Sequence, residues 1–297
     1  MTAPPAISLS QALADARAAG LDRLDAQMLV LHALGRDPHD RAWLMAHDTD
    51  ALDPGQAERL ATLVQRRAQG EPMAYLIGFR EFHGLTLQVD TRVLDPRADT
   101  ETLVQWAIDT LDAFPQTSEN AGISARPLRL IDLGTGSGAI ALAVKHARPL
   151  ADVTAVDASA DALAVARANA QALSLDVRFL EGAWLRDITG CFDVIVSNPP
   201  YLAADDPHLA ALGHEPRPAL VSGADGLDDI RQIVAQAPAH LAAGGWLLLE
   251  HGWTQAEAVR ALLVRAGFEA VRSRRDLAGI ERCTGARWPA LPKPAGA

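Results

Sequence analysis

Residues 128–147, LRLIDLGTGSGAIALAVKHA, join an apolar run to a helical pattern through a loop with three glycines. The apolar run predicts a buried strand, and the apolar spacing after the loop predicts a helix. Gly134, Gly136 and Gly138 remove side chains where the backbone must turn tightly and approach a ligand closely. The stretch therefore predicts the first strand and helix of a parallel sheet, with a binding loop between them.

The chain beyond residue 147 continues this alternation of strands and helices. Six further runs predict strands, at residues 152–157, 176–182, 192–198, 244–252, 268–276 and 281–288. Helical patterns stand between most of these runs, and such an alternation implies right-handed crossovers. We therefore expect an α/β fold with a doubly wound, seven-stranded, mainly parallel sheet.

The remaining segments differ in pattern from the sheet region. Residues 1–78 have the apolar spacing of several helices, with Ser8 or Ser10 and the pair Asp53-Pro54 as predicted helix starts. Residues 79–98 include FHGLTLQVD, whose alternation predicts a β-hairpin linker. A helix from Asp99 opens the third segment, residues 99–288, in which a polar loop follows at 115–127. The Pro-, Ala- and Gly-rich tail, residues 289–297, is predicted to be disordered.

The composition argues against several classes of protein. The chain has 297 residues, 49% of them hydrophobic, and a net charge of −10 from 37 acidic and 27 basic residues. This balance argues against sequence-tolerant binding to duplex DNA, which needs a basic surface. We find no secretory signal and no apolar run of ~20 residues, so we expect a cytoplasmic protein without a membrane span. Two cysteines and nine scattered histidines predict neither a disulfide framework nor a metal site.

Two acidic residues accompany the glycine loop. Asp132 lies just before the glycines, and Asp157 ends the next predicted strand, about 20 residues beyond the loop. A carboxylate at position 132 would repel a pyrophosphate and attract a cation such as S-adenosylmethionine, which carries an ammonium and a sulfonium. Asp157 is placed to accept hydrogen bonds from ribose hydroxyls. These features favour S-adenosylmethionine, although on the loop and Asp157 alone NAD remains possible.

The fourth predicted strand ends in SNPPY, residues 197–201, and so meets the same edge of the sheet as the glycine loop. The Asn198 side chain and the Pro199 carbonyl offer two acceptors for the hydrogens of a planar –NH₂ group, with the Tyr201 ring against its face. These contacts would orient a conjugated, weakly nucleophilic nitrogen toward an electrophilic methyl group. The pattern predicts methylation of a planar amino group.

Together, DLGTGSG, Asp157 and NPPY resemble the class I S-adenosylmethionine-dependent methyltransferases. The chain more closely resembles the peptide chain release factor glutamine methyltransferases, the HemK/PrmC family. That resemblance extends over nearly the whole chain and includes RRAQGEPMAYLIGFREFHG (66–84), LDPRADTETLV (94–104), EPRPALVSGADGLDDIR (215–231), LLLEHGWTQ (247–255) and DLAGIERC (276–283).

The resemblance implies a role for each motif. Residues 134–138, which include Thr135 and Ser137, would hold S-adenosylmethionine together with Asp157, and S-adenosylhomocysteine would be the product. Trp184 would lie near the adenine. Residues 198–201, including Pro200, would hold the glutamine of a Gly-Gly-Gln loop in release factors, with Asn198 also near the cofactor. The helical residues 1–78 would help to dock the release factor, and 99–288 would form the methyltransferase domain of a monomeric enzyme.

Several alternatives remain at this stage. A sister family methylates a glutamine of a ribosomal protein, but its linker usually contains Pro-Arg-Ser-Pro, whereas this chain has PRADTE at 96–101. An N6-adenine methyltransferase would use the same chemistry on a flipped base. A NAD-dependent oxidoreductase would leave NPPY unexplained, and a non-catalytic adaptor would not need Asn198 and Tyr201.

Four residues outside these motifs are left open by the sequence. Asp95 and His83 depart from the family pattern, which often has an apolar and an aromatic residue at these positions. Glu250 is either a site residue or a cap at a strand end. Glu215 either orders the loop after NPPY or is a solvated loop acid.

Overall fold

The structure, a computed structural model, describes residues 7–114 and 126–290. Most of the predicted loop at 115–127 and of the predicted tail at 289–297 lies outside the described residues. The chain divides into two compact units, Met1–Phe79 and Arg80–Ala297. Within the described residues, no helix is long and apolar enough to cross a membrane.

The first unit is helical. Its helices are α1 (Leu9–Ala18), α2 (Arg23–Ala33), α3 (Arg41–Ala46), α4 (Pro54–Ala68) and α5 (Met73–Ile77). The predicted starts are confirmed, because Ser8 caps α1 and Asp53 forms a capping box with Gln56 before Pro54. Leu29, Leu31 and other apolar side chains form the core of this unit. The short helices α3 and α5 were missed because five or six residues carry little helical periodicity.

A hairpin of β1 (Phe79–Phe82) and β2 (Leu85–Gln88) follows, as the alternating pattern predicts. His83 and Gly84 form its two-residue turn with φ values of 48° and 76°. Positive φ at both turn positions matches the twist of the flanking strands. The His83 backbone N–H donates to Glu101 Oε1 at 3.0 Å, so this turn is held by the first residue of the next helix.

The prediction of a seven-stranded, mainly parallel sheet is confirmed. Its strands are β3 (Arg129–Leu133), β4 (Asp152–Asp157), β5 (Arg178–Glu181), β6 (Phe192–Ser197), β7 (Leu241–Glu250), β8 (Glu269–Arg275) and β9 (Glu281–Arg287). Their order is β5-β4-β3-β6-β7-β9-β8. The first five strands in this order are parallel, and β9 is antiparallel to both of its neighbours.

Helices cover both faces of this sheet. They are α6 (Glu101–Ala113), α7 (Ala139–Ala147), α8 (Ala160–Leu173), α9 (Asp228–Gln236) and α10 (Ala256–Arg265). Apolar residues of α6 and α7 join one buried cluster, with Trp106 among its largest members, and those of α9 and α10 join the other. The sheet is therefore doubly wound.

The strand order creates one topological switch point. The chain runs outward from β3 through β4 to β5 and then returns to β6 on the other side of β3. The carboxyl ends of β3, β4 and β6 therefore border a crevice, which is where open α/β sheets bind ligands.

Candidate active site

A cavity of about 520 Å³ lies at this switch point. Of the residues predicted for the site, those that line it are Gly134, Gly136, Asp157, Trp184, Asn198 and Pro200. Those that do not line it are Asp132, Thr135, Ser137, Gly138, Pro199 and Tyr201. The structure thus brings the glycine loop, the second strand end and NPPY to one cavity.

The glycine loop needs its glycines for conformation and for space. Gly134, Gly136 and Gly138 have φ values of 70°, 56° and 86°, in the left-handed region that side chains disfavour. A Cβ atom on Gly134 would lie 3.2 Å from Cζ3 of Trp184. The backbone N–H of Gly134 donates to the Val156 carbonyl at 2.8 Å, which ties the loop to β4. The loop and the indole ring therefore form one continuous wall.

Asp132 stabilises this loop through hydrogen bonds of its side chain. Its side chain is fully buried, and Oδ2 accepts hydrogen bonds from the Thr135 hydroxyl at 2.6 Å and from the Ala141 N–H at 3.2 Å. Burial raises the pKa of the Asp132 carboxyl to about 7. Oδ1 has no hydrogen-bond partner among the described residues. Its attraction for a cationic ligand stays a prediction, because Asp132 is buried and does not line the cavity.

Asp157 reaches the cavity itself. Its Oδ2 accepts from the Gly136 N–H at 2.8 Å, and its Oδ1 accepts from the Ser159 N–H at 2.9 Å. Burial raises the pKa of the Asp157 carboxyl, and these backbone hydrogen bonds oppose the rise. Each carboxylate oxygen has a second lone pair, so the group has acceptor sites left for a ligand.

Trp184, whose ring lies beside Gly134, has a strained backbone conformation. Its φ is 56°, which few large side chains adopt. The indole Nε1–H donates to Asp229 Oδ1 at 3.2 Å. Asp229 also lines the cavity, and only its place in the family-like segment 215–231 hinted at a role. The two contacts, with Gly134 and with Asp229, hold the ring in place.

Asn198 links the cavity to two buried side chains. Its Nδ2 donates to Thr100 Oγ1 at 3.2 Å. Thr100 is 4% exposed, and the nearby Glu250 is 1% exposed. Burial raises the pKa of the Glu250 carboxyl to about 7, and the nearby Thr100 and Asn198 side chains oppose the rise. Glu250 Oε2 has no hydrogen-bond partner among the described residues. Glu250 is thus buried beside Thr100 and Asn198, and its role as a site residue stays a prediction.

Tyr201 is packed beside the cavity. Its carbonyl accepts from Gln255 Nε2 at 3.0 Å, and a Cβ atom on Gly226 would lie only 2.1 Å from that carbonyl oxygen. Burial, with the charge of Glu250 adding to it, raises the pKa of the Tyr201 hydroxyl well above its usual range. The phenol therefore stays neutral, and stacking of its ring on a substrate remains a prediction.

A cluster of two buried carboxyls and two partly exposed arginines lies next to Leu94 and Pro216, which line the cavity. Glu215 accepts hydrogen bonds from the Arg97 guanidinium and, at 3.3 Å, from the Asp95 N–H. Asp95 is 3.5 Å from both Arg80 and Arg97, and burial raises the pKa of its carboxyl. Glu215 is 7% exposed, so the alternative of a solvated loop acid was wrong. Asp95, which departs from the family pattern, thus forms ion pairs with two arginines.

Comparison with known proteins agrees with these features. Residues 8–78 match the family described as PrmC N-terminal domain, and residues 120–214 match the family described as Methyltransferase small domain. A release factor glutamine methyltransferase of Bordetella pertussis (strain Tohama I) is 51% identical over 90% of this chain and 95% of its own. One from Xylella fastidiosa (strain Temecula1) is 50% identical over 91% and 94%. This chain belongs to the release factor glutamine methyltransferase family.

A solved structure extends the comparison to the fold. The hMettl16 catalytic domain, solved in complex with MAT2A 3'UTR hairpin 1, matches with a TM-score of 0.57 and 15% identity. The match covers 86% of this chain and 93% of that one. At this identity the similarity concerns the fold alone, which is shared well beyond the glutamine methyltransferases.

Two features of the site lay outside sequence reasoning. Thr100 is 98 positions from Asn198, and only its place in the family-like segment 94–104 hinted at a role. Arg92 and Val93, just before that segment, and Leu94, its first residue, also line the cavity. In residues 7–114 and 126–290, no group of three or more His, Cys, Asp or Glu side chains is placed to hold a metal ion.

Proposed function

We propose that this protein transfers a methyl group from S-adenosylmethionine to the side-chain amide nitrogen of the glutamine in the Gly-Gly-Gln motif of peptide chain release factors. The observation that carries the proposal is the position of Asn198. Its amide lines the same cavity as Gly134, Gly136 and Asp157. The identity to release factor glutamine methyltransferases, 51% over 90% of the chain, supports the choice of a glutamine over other amino groups.

The residues present fit S-adenosylmethionine. Gly134 and Gly136 leave bare backbone at the cavity wall, the Asp157 carboxylate has acceptor sites for ribose hydroxyls, and Trp184 offers a flat apolar face for a purine. When bound, this cofactor supplies an electrophilic methyl group on a sulfonium. Asp157 and the loop from Gly134 to Gly138 would hold it, with Trp184 beside the adenine.

The chain's own residues act on the glutamine amide. The Asn198 Oδ1 and the Pro199 carbonyl would accept its two N–H hydrogens, and Tyr201 would lie against its plane. Both acceptors gain strength as positive charge develops on the nitrogen, so they favour the transition state over the ground state. The nitrogen would form one new bond to the methyl carbon as the bond from that carbon to sulfur breaks, with S-adenosylhomocysteine as the leaving group, and would then release one proton to solvent. No general base is needed, because the proton leaves after the new bond has formed.

The other parts of the proposal concern partners and location. The helical unit Met1–Phe79 would dock the release factor, since residues 8–78 match the PrmC N-terminal domain. We further propose that the protein is a cytoplasmic monomer that acts without direct contact to nucleic acid. The net charge of −10 supports the last point.

A methyl-transfer assay tests the substrate. The full-length protein is incubated with methyl-labelled S-adenosylmethionine and, separately, with a purified release factor, with the same factor carrying alanine in place of the Gly-Gly-Gln glutamine, with a purified large ribosomal subunit, and with duplex DNA. We expect label only in the intact release factor. Label in the ribosomal subunit or in DNA, with none in the release factor, would contradict the proposal.

A further inference from the structure

The orientation of the Asn198 amide decides whether it helps or hinders the substrate. A carboxamide has an oxygen that accepts and a nitrogen that donates. A glutamine –NH₂ group brings only donors, so it is held when Oδ1 faces the cavity and repelled when Nδ2 does. Some other group must therefore set the orientation of Asn198 before the substrate arrives.

The Thr100 hydroxyl is in contact with the nitrogen side of that amide. Asn198 Nδ2 lies 3.2 Å from Thr100 Oγ1. A hydroxyl accepts on its lone pairs and has a single hydrogen to donate. Thr100 alone would not decide the orientation, because its hydrogen could be directed at either end of a carboxamide.

Glu250 removes that ambiguity. It ends β7 one residue after Leu249, which is paired with Ser197 of β6, so Glu250 and Asn198 follow equivalent positions on adjacent parallel strands. Its buried Oε2 has no hydrogen-bond partner among the described residues, and the Thr100 and Asn198 side chains are close enough to the carboxyl to lower its pKa. An ionised carboxylate only accepts, so it draws the Thr100 hydrogen to itself. Thr100 is then left as an acceptor toward Asn198.

We propose that Thr100 and Glu250 are positioning residues that hold the Asn198 amide with Nδ2 turned inward and Oδ1 turned toward the cavity. Hydrogens then point in one direction, from Asn198 to Thr100 to Glu250. The inference rests on the proposed function, because a glutamine –NH₂ group is the substrate that such an orientation serves. It also accounts for a buried carboxyl, which would be costly to retain in a fold without such a role.

Three variants test the proposal with purified full-length protein and a release factor as substrate. Thr100→Val keeps the side chain's shape and removes the hydroxyl, and Thr100→Ser restores a hydroxyl. The matched control is Thr110→Val, because Thr110 is in the same helical segment, is also buried, and donates only to the Trp106 carbonyl. We expect Thr100→Val to lower kcat by roughly 10- to 100-fold through misorientation. Thr100→Ser and Thr110→Val should stay close to wild type.

Further measurements separate positioning from a structural role. Cofactor affinity by calorimetry and the midpoint of thermal unfolding should be similar for Thr100→Val and Thr110→Val. In an Asn198→Ala background, Thr100→Val and Glu250→Gln should cause little further loss, because they act through the missing amide. Equal kcat for Thr100→Val and wild type, or losses that add fully in the Asn198→Ala background, would overturn the positioning role. A wild-type protein that does not label the release factor would instead overturn the proposed function.

Discussion

At the scale of single residues, Asn198 offers the sharpest test, because it lines the cavity and carries the polar side chain proposed to hold the substrate. We predict that Asn198→Ala lowers kcat for release factor methylation by about 10²–10³-fold, as for other hydrogen bonds that strengthen in the transition state. Cofactor affinity should change little, and calorimetry provides that control. A variant with kcat within threefold of wild type would contradict the role.

We expect the Asp157 carboxylate to contribute to the affinity for S-adenosylmethionine. This carboxylate lines the cavity and already orients the Gly136 N–H. We predict that Asp157→Ala weakens S-adenosylmethionine affinity by about tenfold or more, since charge-assisted hydrogen bonds are lost. Asp152→Ala is the matched control, because Asp152 begins the same strand and its side chain is 45% exposed. Equal calorimetric affinities of the two variants would exclude the proposed contact.

The titration of the Glu250 carboxyl leads us to predict that kcat depends on pH. The pKa of this carboxyl is raised to about 7 by burial and by Asp99, and it is lowered by Thr100, Arg282 and Asn198. Above that pH the ionised carboxylate accepts from Thr100, and below it the protonated group is a competing donor. We therefore predict that kcat rises with pH through about 7 in wild type.

Glu250→Gln separates this titration from others in the site. Asp132 also has a pKa near 7, while Tyr201 and Cys283, the other groups that sense the charge of Glu250, have pKa values raised above their usual range. A glutamine at 250 cannot ionise, so the rise in kcat should flatten in this variant. A pH–rate profile of unchanged shape would show that another group controls the rate.

At the scale of elements, the loop between β3 and α7 depends on how closely it packs on Trp184. We predict that Gly134→Ala weakens cofactor affinity, because an added methyl meets the indole at 3.2 Å and the residue has a φ of 70°. Gly279→Ala is the control, since its φ of 81° imposes similar strain with no atom within 4 Å of the added Cβ. Both should lower thermal stability slightly, by about 1 kcal/mol. A loss of affinity shared by both variants would argue against the packing.

The charge cluster of Arg80, Asp95, Arg97 and Glu215 connects two loops that line the cavity. We predict that Glu215→Ala lowers the free energy of unfolding by about 1–3 kcal/mol, because it removes the buried carboxylate that accepts from Arg97 and leaves Asp95 as the remaining partner of that guanidinium. This loss is smaller than the ~3–5 kcal/mol for breaking a fully buried pair, since the Arg97 side chain is 35% exposed. Glu269→Ala, which breaks the exposed pair with Arg287, should cost about 0–1 kcal/mol. Equal urea midpoints for the two variants would contradict this account.

At the scale of the whole molecule, local sequence patterns predicted the strands and the position of the site, whereas contacts between distant residues could not be predicted. Periodicity and glycine placement predicted the seven strands and the carboxyl edge where the site lies, because these depend on local patterns. The contacts of Asn198 with Thr100 and of Arg97 with Glu215 join residues 98 and 118 positions apart. Such pairs depend on how the loops pack after folding, and a single sequence carries no local signal for them. Short helices such as α3 were missed because six residues are too few to show a helical repeat of apolar positions.

The measurement that tests the central claim most directly is the position of the transferred methyl group. The full-length protein is reacted with S-adenosylmethionine and an unmodified release factor, and the product is digested and fragmented in a mass spectrometer. We predict one added methyl group on the side-chain nitrogen of the Gly-Gly-Gln glutamine, formed by wild type and nearly absent with Asn198→Ala. A methyl group on any other residue, or equal transfer by the Asn198→Ala variant, would contradict the account of this site.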